Sequence, residues 1–153
     1  MKRFLILSVA VFGCSRPEPK AEATGFEAMQ QRGQMAMGVD QYQSKHRFHQ
    51  STDGGTIELQ SDTGDSLDVA QIRAHLKLIQ HSFAAGDFST PTFVHSHEMP
   101  GSVAMAAKKD LIKYTYSDLP RGGEVRITSS DADAIKAVHA FLDAQSMEHH
   151  AMQ

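Results

Sequence analysis

Two five-residue runs limit what this chain can become. Thr56-Ile57-Glu58-Leu59-Gln60 and Glu124-Val125-Arg126-Ile127-Thr128 alternate apolar and polar residues without a break, the period of a strand with one buried face. Such a strand needs a second layer to cover it, and each run is followed by a segment that supplies one. Residues 67–85 place Val69, Ile72, Leu76, Ile79 and Phe83 on one stripe at about 100° per residue, with Ser66 as the expected cap and Gly86 as the stop. Residues 131–147 repeat the pattern with Ile135, Val138, Phe141 and Leu142, behind a capping box of Ser130 and Asp133. A weaker strand precedes each run, at 45–50 and 111–116, and the turns between them carry Gly54-Gly55 and Gly122-Gly123. The expected domain is α+β over residues 45–147, a four-stranded antiparallel sheet with two helices on one face in the order ββαββα. Its two halves are arranged as an internal duplication would leave them.

The start of the chain reads as an export signal. Met1-Lys2-Arg3 is basic, and the apolar run from Phe4 to Phe12 falls well short of the ~20 residues of a membrane-spanning helix. Gly13-Cys14 then looks like a bacterial lipobox. Residues 1–13 are the expected signal peptide, Cys14 the lipidated residue, and 14–24, with Pro17 and Pro19, a flexible tether. The expected location is the periplasmic side of a bacterial membrane, the outer one given Ser15 after the cysteine. The net charge is −3 and becomes −5 once Lys2 and Arg3 are removed, so nucleic acid is not an expected partner. Cys14 is the single cysteine; with it lipidated, a metal site must come from His, Met and carboxylates.

Those residues are plentiful, with nine His and eight Met. Between the halves, His95, His97 and Met99 alternate, and an extended backbone would bring them to one side, each ~6.6 Å from the next. Imidazole suits copper, zinc and nickel, and a thioether shifts the preference to copper. His46 shares its strand face with Phe48. His75 lies at the edge of the first helical stripe, His81 opposite it in solvent, and His139 on the flank of the second. Residues 25–44 read as a Met- and Gln-rich arm able to pass on Cu(I). Gly33 and Gly38 argue against a long helix there, and Met29 reads as core. Residues 148–153, with His149, His150 and Met152, read as a frayed tail that binds metal weakly at most. For any single histidine a local hydrogen bond is the simpler account; for the set, a metal is.

An ordered series of residues resembles a family of small exported bacterial proteins often labelled aspartate carbamoyltransferase. It includes Met37-Gly38, Asp40-Gln41, His46, Phe48, Gly54-Gly55, Ile72-Arg73, His75-Leu76, Gly86-Asp87-Phe88, Pro91 and Val94-His95. It continues through Pro100-Gly101, Met105, Arg121-Gly122-Gly123, Val125-Arg126-Ile127, His139 and Phe141-Leu142, about three quarters of the chain. The label does not suit the residues: no Ser-Thr-Arg-Thr phosphate loop occurs, and no four-cysteine zinc site. The resemblance implies a site among Met37, His46, His75, His95, Met105 and His139. His97 and Met99 lie outside the shared pattern, and Leu78 stands where the family has a further histidine.

The leading expectation is a lipid-anchored copper protein for sequestration, resistance or delivery. It would hold Cu(I) or Cu(II) through His46, His75 and His95 with Met105 as the soft ligand, and His139, His97 or Met99 nearby. Its expected partners are the membrane through Cys14, a copper donor or acceptor protein, and a second copy of the chain as a homodimer. The alternatives are a small periplasmic enzyme, for which no Gly-x-Ser-x-Gly, His-Glu-x-x-His, P-loop or Rossmann pattern is present, and a structural or interaction lipoprotein without metal. The anchor is testable by itself: Cys14→Ser should move the protein from the detergent phase to the aqueous phase on partitioning, and an unchanged distribution would rule the anchor out.

Overall fold

The structure, a computed structural model, describes residues 25–38 and 40–150. The expected signal peptide, Cys14, the tether and the last three residues lie outside them. The sheet runs β1 Ser44–Ser51, β2 Gly54–Ser61, β3 Ile112–Leu119 and β4 Gly122–Ser129. It is antiparallel throughout, in the spatial order β1-β2-β4-β3. The helices are α1 Phe26–Met37, α2 Ser66–Ala85, α3 Ser89–His95, α4 Ser102–Ala107 and α5 Ala132–His150. The α+β class, the ββαββα core and the antiparallel sheet match the expectation. Among the described residues no helix is long and apolar enough to cross a membrane.

The two alternating runs form the middle of the sheet. Ile57 pairs with Val125 and Gly55 with Ile127, and Ile57, Leu59, Val125 and Ile127 are buried. The long helices cover them. The stripe Val69, Ile72, Leu76, Ile79 and Phe83 is buried on α2 as expected. On α5, Val138, Phe141 and Leu142 are buried with Ala134 and Ala137, while Ile135 is only half-buried.

The glycine pairs are strand residues, not turns. The turns are Thr52-Asp53 and Pro120-Arg121, and each pair opens the following strand. Close approach is the reason. A Cβ on Gly55 would overlap Leu142 Cδ1 of α5, and one on Gly123 would lie 2.8 Å from the Tyr116 ring. The missing side chains let helix and ring sit directly on the sheet.

Both caps are aspartates one residue away from the expected positions. Asp65 accepts from the amides of Leu67 at 2.9 Å and Asp68 at 3.3 Å, displacing Ser66 into the helix. Asp131 accepts from Ala134 N at 2.8 Å and also from Lys108 Nζ at 3.0 Å, so Ser130 and Asp133 form no box. A carboxylate accepts a helix amide more strongly than a hydroxyl and suits the positive end of the dipole.

The expected arm is a helix. α1 passes through Gly33 without a break and stops at Gly38 in the left-handed conformation. Met29 and Met37 are buried, Met35 is exposed, and Arg32 Nε donates to Val94 O of α3 at 2.8 Å. Burial of two methionines outweighs the glycine's cost of about 1 kcal/mol. Residues 148–150 of the expected frayed tail instead belong to α5, which runs to His150. Leu76 is 1% exposed at the centre of this packing, so Leu76→Ala should cost ~2–5 kcal/mol in chemical denaturation; a loss within error would mean that the α2 stripe is not core.

Candidate functional site

The site lies where the sheet's helical face meets both long helices. On β1, His46 and Phe48 point the same way, and their rings stack with centroids 5.7 Å apart and planes 1° from parallel. α2 brings His75, α3 ends on His95, and α5 presents Phe141, Gln145 and His149, each one helical turn beyond the last. Gly33 and Met37 of α1 close the ring. These groups enclose a cavity of about 60 Å³, with Ile57, Leu76, Ile79, Phe83, Pro91 and Val94 as apolar wall and Thr90 as a further polar group. On this measure one water needs ~10–15 Å³, so the space holds a few waters or an ion with a small ligand.

The histidines are mutually close. The centroids of His46 and His149 are 4.8 Å apart, and those of His95 and His149 5.4 Å. Burial holds the His46 imidazole well below its usual range for protonation, and the neighbouring His149, His75 and His95 push the same way. Burial pushes His75 down to about 4, opposed only by a hydrogen bond to the Ala36 backbone. His46 and His75 are therefore neutral near pH 7, the form that binds metals.

Two of the rings are oriented by oxygen. The His75 ring donates to the Ala36 carbonyl near the end of α1, and its Nδ1 is buried without a partner. His95 Nδ1 donates to Glu148 Oε2 at 2.6 Å, while its Nε2 lies 3.1 Å from Gln145 Oε1. Turning the Gln145 amide over would let its NH2 donate to that nitrogen. In both residues one N–H is taken by a fixed oxygen, which leaves the opposite nitrogen as the lone-pair donor. No group of three His, Cys, Asp or Glu among the described residues is already drawn together in ligand geometry. Two imidazoles on one tetrahedral ion stand ~5 Å apart between centroids, close to the spacings here.

Of the residues expected at a metal site, His46, His75 and His95 meet at this cavity. Met105 and Met99 do not: both are part of the hydrophobic core, 0% and 2% exposed. His139 is also elsewhere, its Nε2 donating to Ser51 O at 2.9 Å and Gly54 O at 3.0 Å across the seam between α5 and the first hairpin. His95, His97 and Met99 do not alternate along an extended chain. α3 ends at His95 and Ser96 takes a φ of 63°, so His97 points to solvent and Met99 into the core. His81 is exposed, with Nδ1 donating to Lys77 O at 2.7 Å. Glu148 and His149 come from the segment expected to be a weakly binding tail, Gln145 was not among the expected site residues, and Met37 takes the place of Met105 as the thioether at the cavity.

The buried rings set a pH dependence. His75 protonates near 4 when folded and near its ordinary 6.5 when unfolded. Between those values the unfolded chain binds more protons, so stability is complete above pH 6.5 and is lost as pH falls toward 4, on the order of 3 kcal/mol from this group. His46 acts in the same direction. Denaturation at pH 7, 5.5 and 4 should show that loss, and His75→Leu should lose less over the same window. Equal slopes for the two proteins would mean that the His75 ring is open to water.

No protein-family model, curated protein or solved structure matches this chain, and the functional reading rests on the chemistry of its own residues.

Proposed function

We propose that this chain binds copper in the cavity, through His46, His75 and His149 with the Met37 thioether, and with His95 swinging from Gln145 to the ion. The observation that carries the reading is the pair of pre-oriented rings: His75 has a buried Nδ1 without a partner, and Glu148 holds His95 so that its Nε2 meets the Gln145 amide at the cavity wall. Imidazoles alone would suit zinc equally well, and the thioether on the cavity wall favours copper, above all Cu(I). The apolar walls favour holding the ion over turnover. The role is sequestration or delivery, on the periplasmic side of the membrane through a lipid on Cys14. The resemblance to small exported proteins agrees with that location.

A second reading has one observation in its favour. The buried His95 with Glu148 at 2.6 Å is also an imidazole–carboxylate pair suited to acid–base catalysis. Among the described residues no serine or cysteine lines the cavity, and Thr90 supplies the one hydroxyl there.

Copper titration against a competing chelator separates the two. The wild type should bind about one copper per chain. His46→Ala, His75→Ala and His149→Ala should each weaken binding at least tenfold, ~1.4 kcal/mol. Met37→Leu should weaken Cu(I) more than Cu(II), whereas His81→Ala, His139→Ala and Met105→Leu should leave affinity unchanged. A wild type that takes up no copper while the His95→Ala exchange abolishes turnover of a substrate would establish the enzyme instead.

A further inference from the structure

Outside the cavity, one carboxylate joins an exposed imidazole to a buried one. His97 Nε2 lies 3.1 Å from Glu148 Oε1, and Glu148 Oε2 lies 2.6 Å from His95 Nδ1. The side chains are 50%, 30% and 1% exposed in that order, so the three groups descend from solvent to the cavity wall. His97 Nδ1 is occupied by the carbonyl of Glu98 at 3.1 Å. Its Nε2 therefore meets a carboxylate oxygen, a place that takes either a second ring proton or another cation. Two ligands of one tetrahedral ion, each ~2.0–2.1 Å from it, stand about 3.3 Å apart, close to the separation found. A surface imidazole held only to strengthen the fold would contribute little, since exposed ion pairs are weak.

We infer that His97 and Glu148 form an outer docking position where a copper ion is held by two ligands before it passes to the cavity. The inference rests on the copper reading of that cavity. With only two protein ligands the outer position binds weakly, as a transfer point must. Glu148 is common to both stages: one oxygen meets the incoming ion while the other keeps His95 turned so that Nε2 can receive it. His97 acts on the rate of exchange, not on the resting affinity.

Rapid mixing of the full chain with copper(II) held by excess glycine tests this. His97→Ala should slow loading at least fivefold and slow release by the same factor, measured where release no longer depends on EDTA concentration. Its equilibrium affinity should stay within twofold of wild type. Glu148→Gln should slow loading and also weaken affinity, His81→Ala should change neither, and circular dichroism should be the same for all. Loading of His97→Ala at the wild-type rate would overturn the docking position while leaving the cavity site standing. A tenfold loss of affinity in His97→Ala with an unchanged loading rate would also overturn it, making His97 a ligand of the resting ion. If the wild type takes neither copper(II) from glycine nor copper(I) in the equilibrium titration, the cavity reading fails first and this one with it.

Discussion

The ladder between β2 and β4 is the constraint on which the rest of the structure depends. It joins residues 54–60 to residues 122–128, so the chain must close a loop of more than sixty residues before the apolar faces of Ile57, Leu59, Val125 and Ile127 lie side by side. Only then is there a surface wide enough for two helices. The register also sets what can stand above it. Leu59 faces Gly123 across the ladder and Gly55 faces Ile127, so large residues alternate with absent ones. Tyr116 and Leu142 use the gaps, and a slip of one residue would send every apolar side chain to the solvent face.

Polar groups gather where this packing is least complete. Phe83, Phe88 and Phe141 lock α2, α3 and α5 together, with ring centroids 4.4 to 5.7 Å apart. Next to that apolar knot the wall changes to imidazole. Burying a polar group without a partner is unfavourable, and the molecule limits the cost in two ways. Burial keeps His46 and His75 neutral, and His75 has a backbone carbonyl and His95 a carboxylate as partner. His75 Nδ1 is where the cavity wall retains unused bonding capacity.

The fold was largely legible because it rests on periodicity. Both alternating runs and the α2 stripe can be read directly from residue order, and His75 at the stripe edge follows from the same wheel. The site was legible only in part, because it depends on where elements end. The α5 stripe of Val138, Phe141 and Leu142 continues at the same spacing through Gln145 and His149. Two polar residues at core positions are a signal, but one hidden by the expectation that a chain end frays. The strand-like spacing of His95, His97 and Met99 misled for the opposite reason: one left-handed residue, Ser96, ends a helix in the middle of it. Met105 and His139 lie close to the site in sequence order but not in space. No local pattern separates a methionine in the core from one on a cavity wall.

Each long helix lies on the hairpin of the other half: α2 packs chiefly on β3 and β4, and α5 on β1 and β2. Neither ββα half is therefore a self-sufficient unit, since its sheet is roofed by a helix from the opposite end of the chain. Folding intermediates in which one half is complete and the other unformed have no covered core, and loss of structure is cooperative across the whole domain. A protease cut in the connection between the halves, around residues 97–101, would leave two interlocked fragments that stay associated, each completing the other.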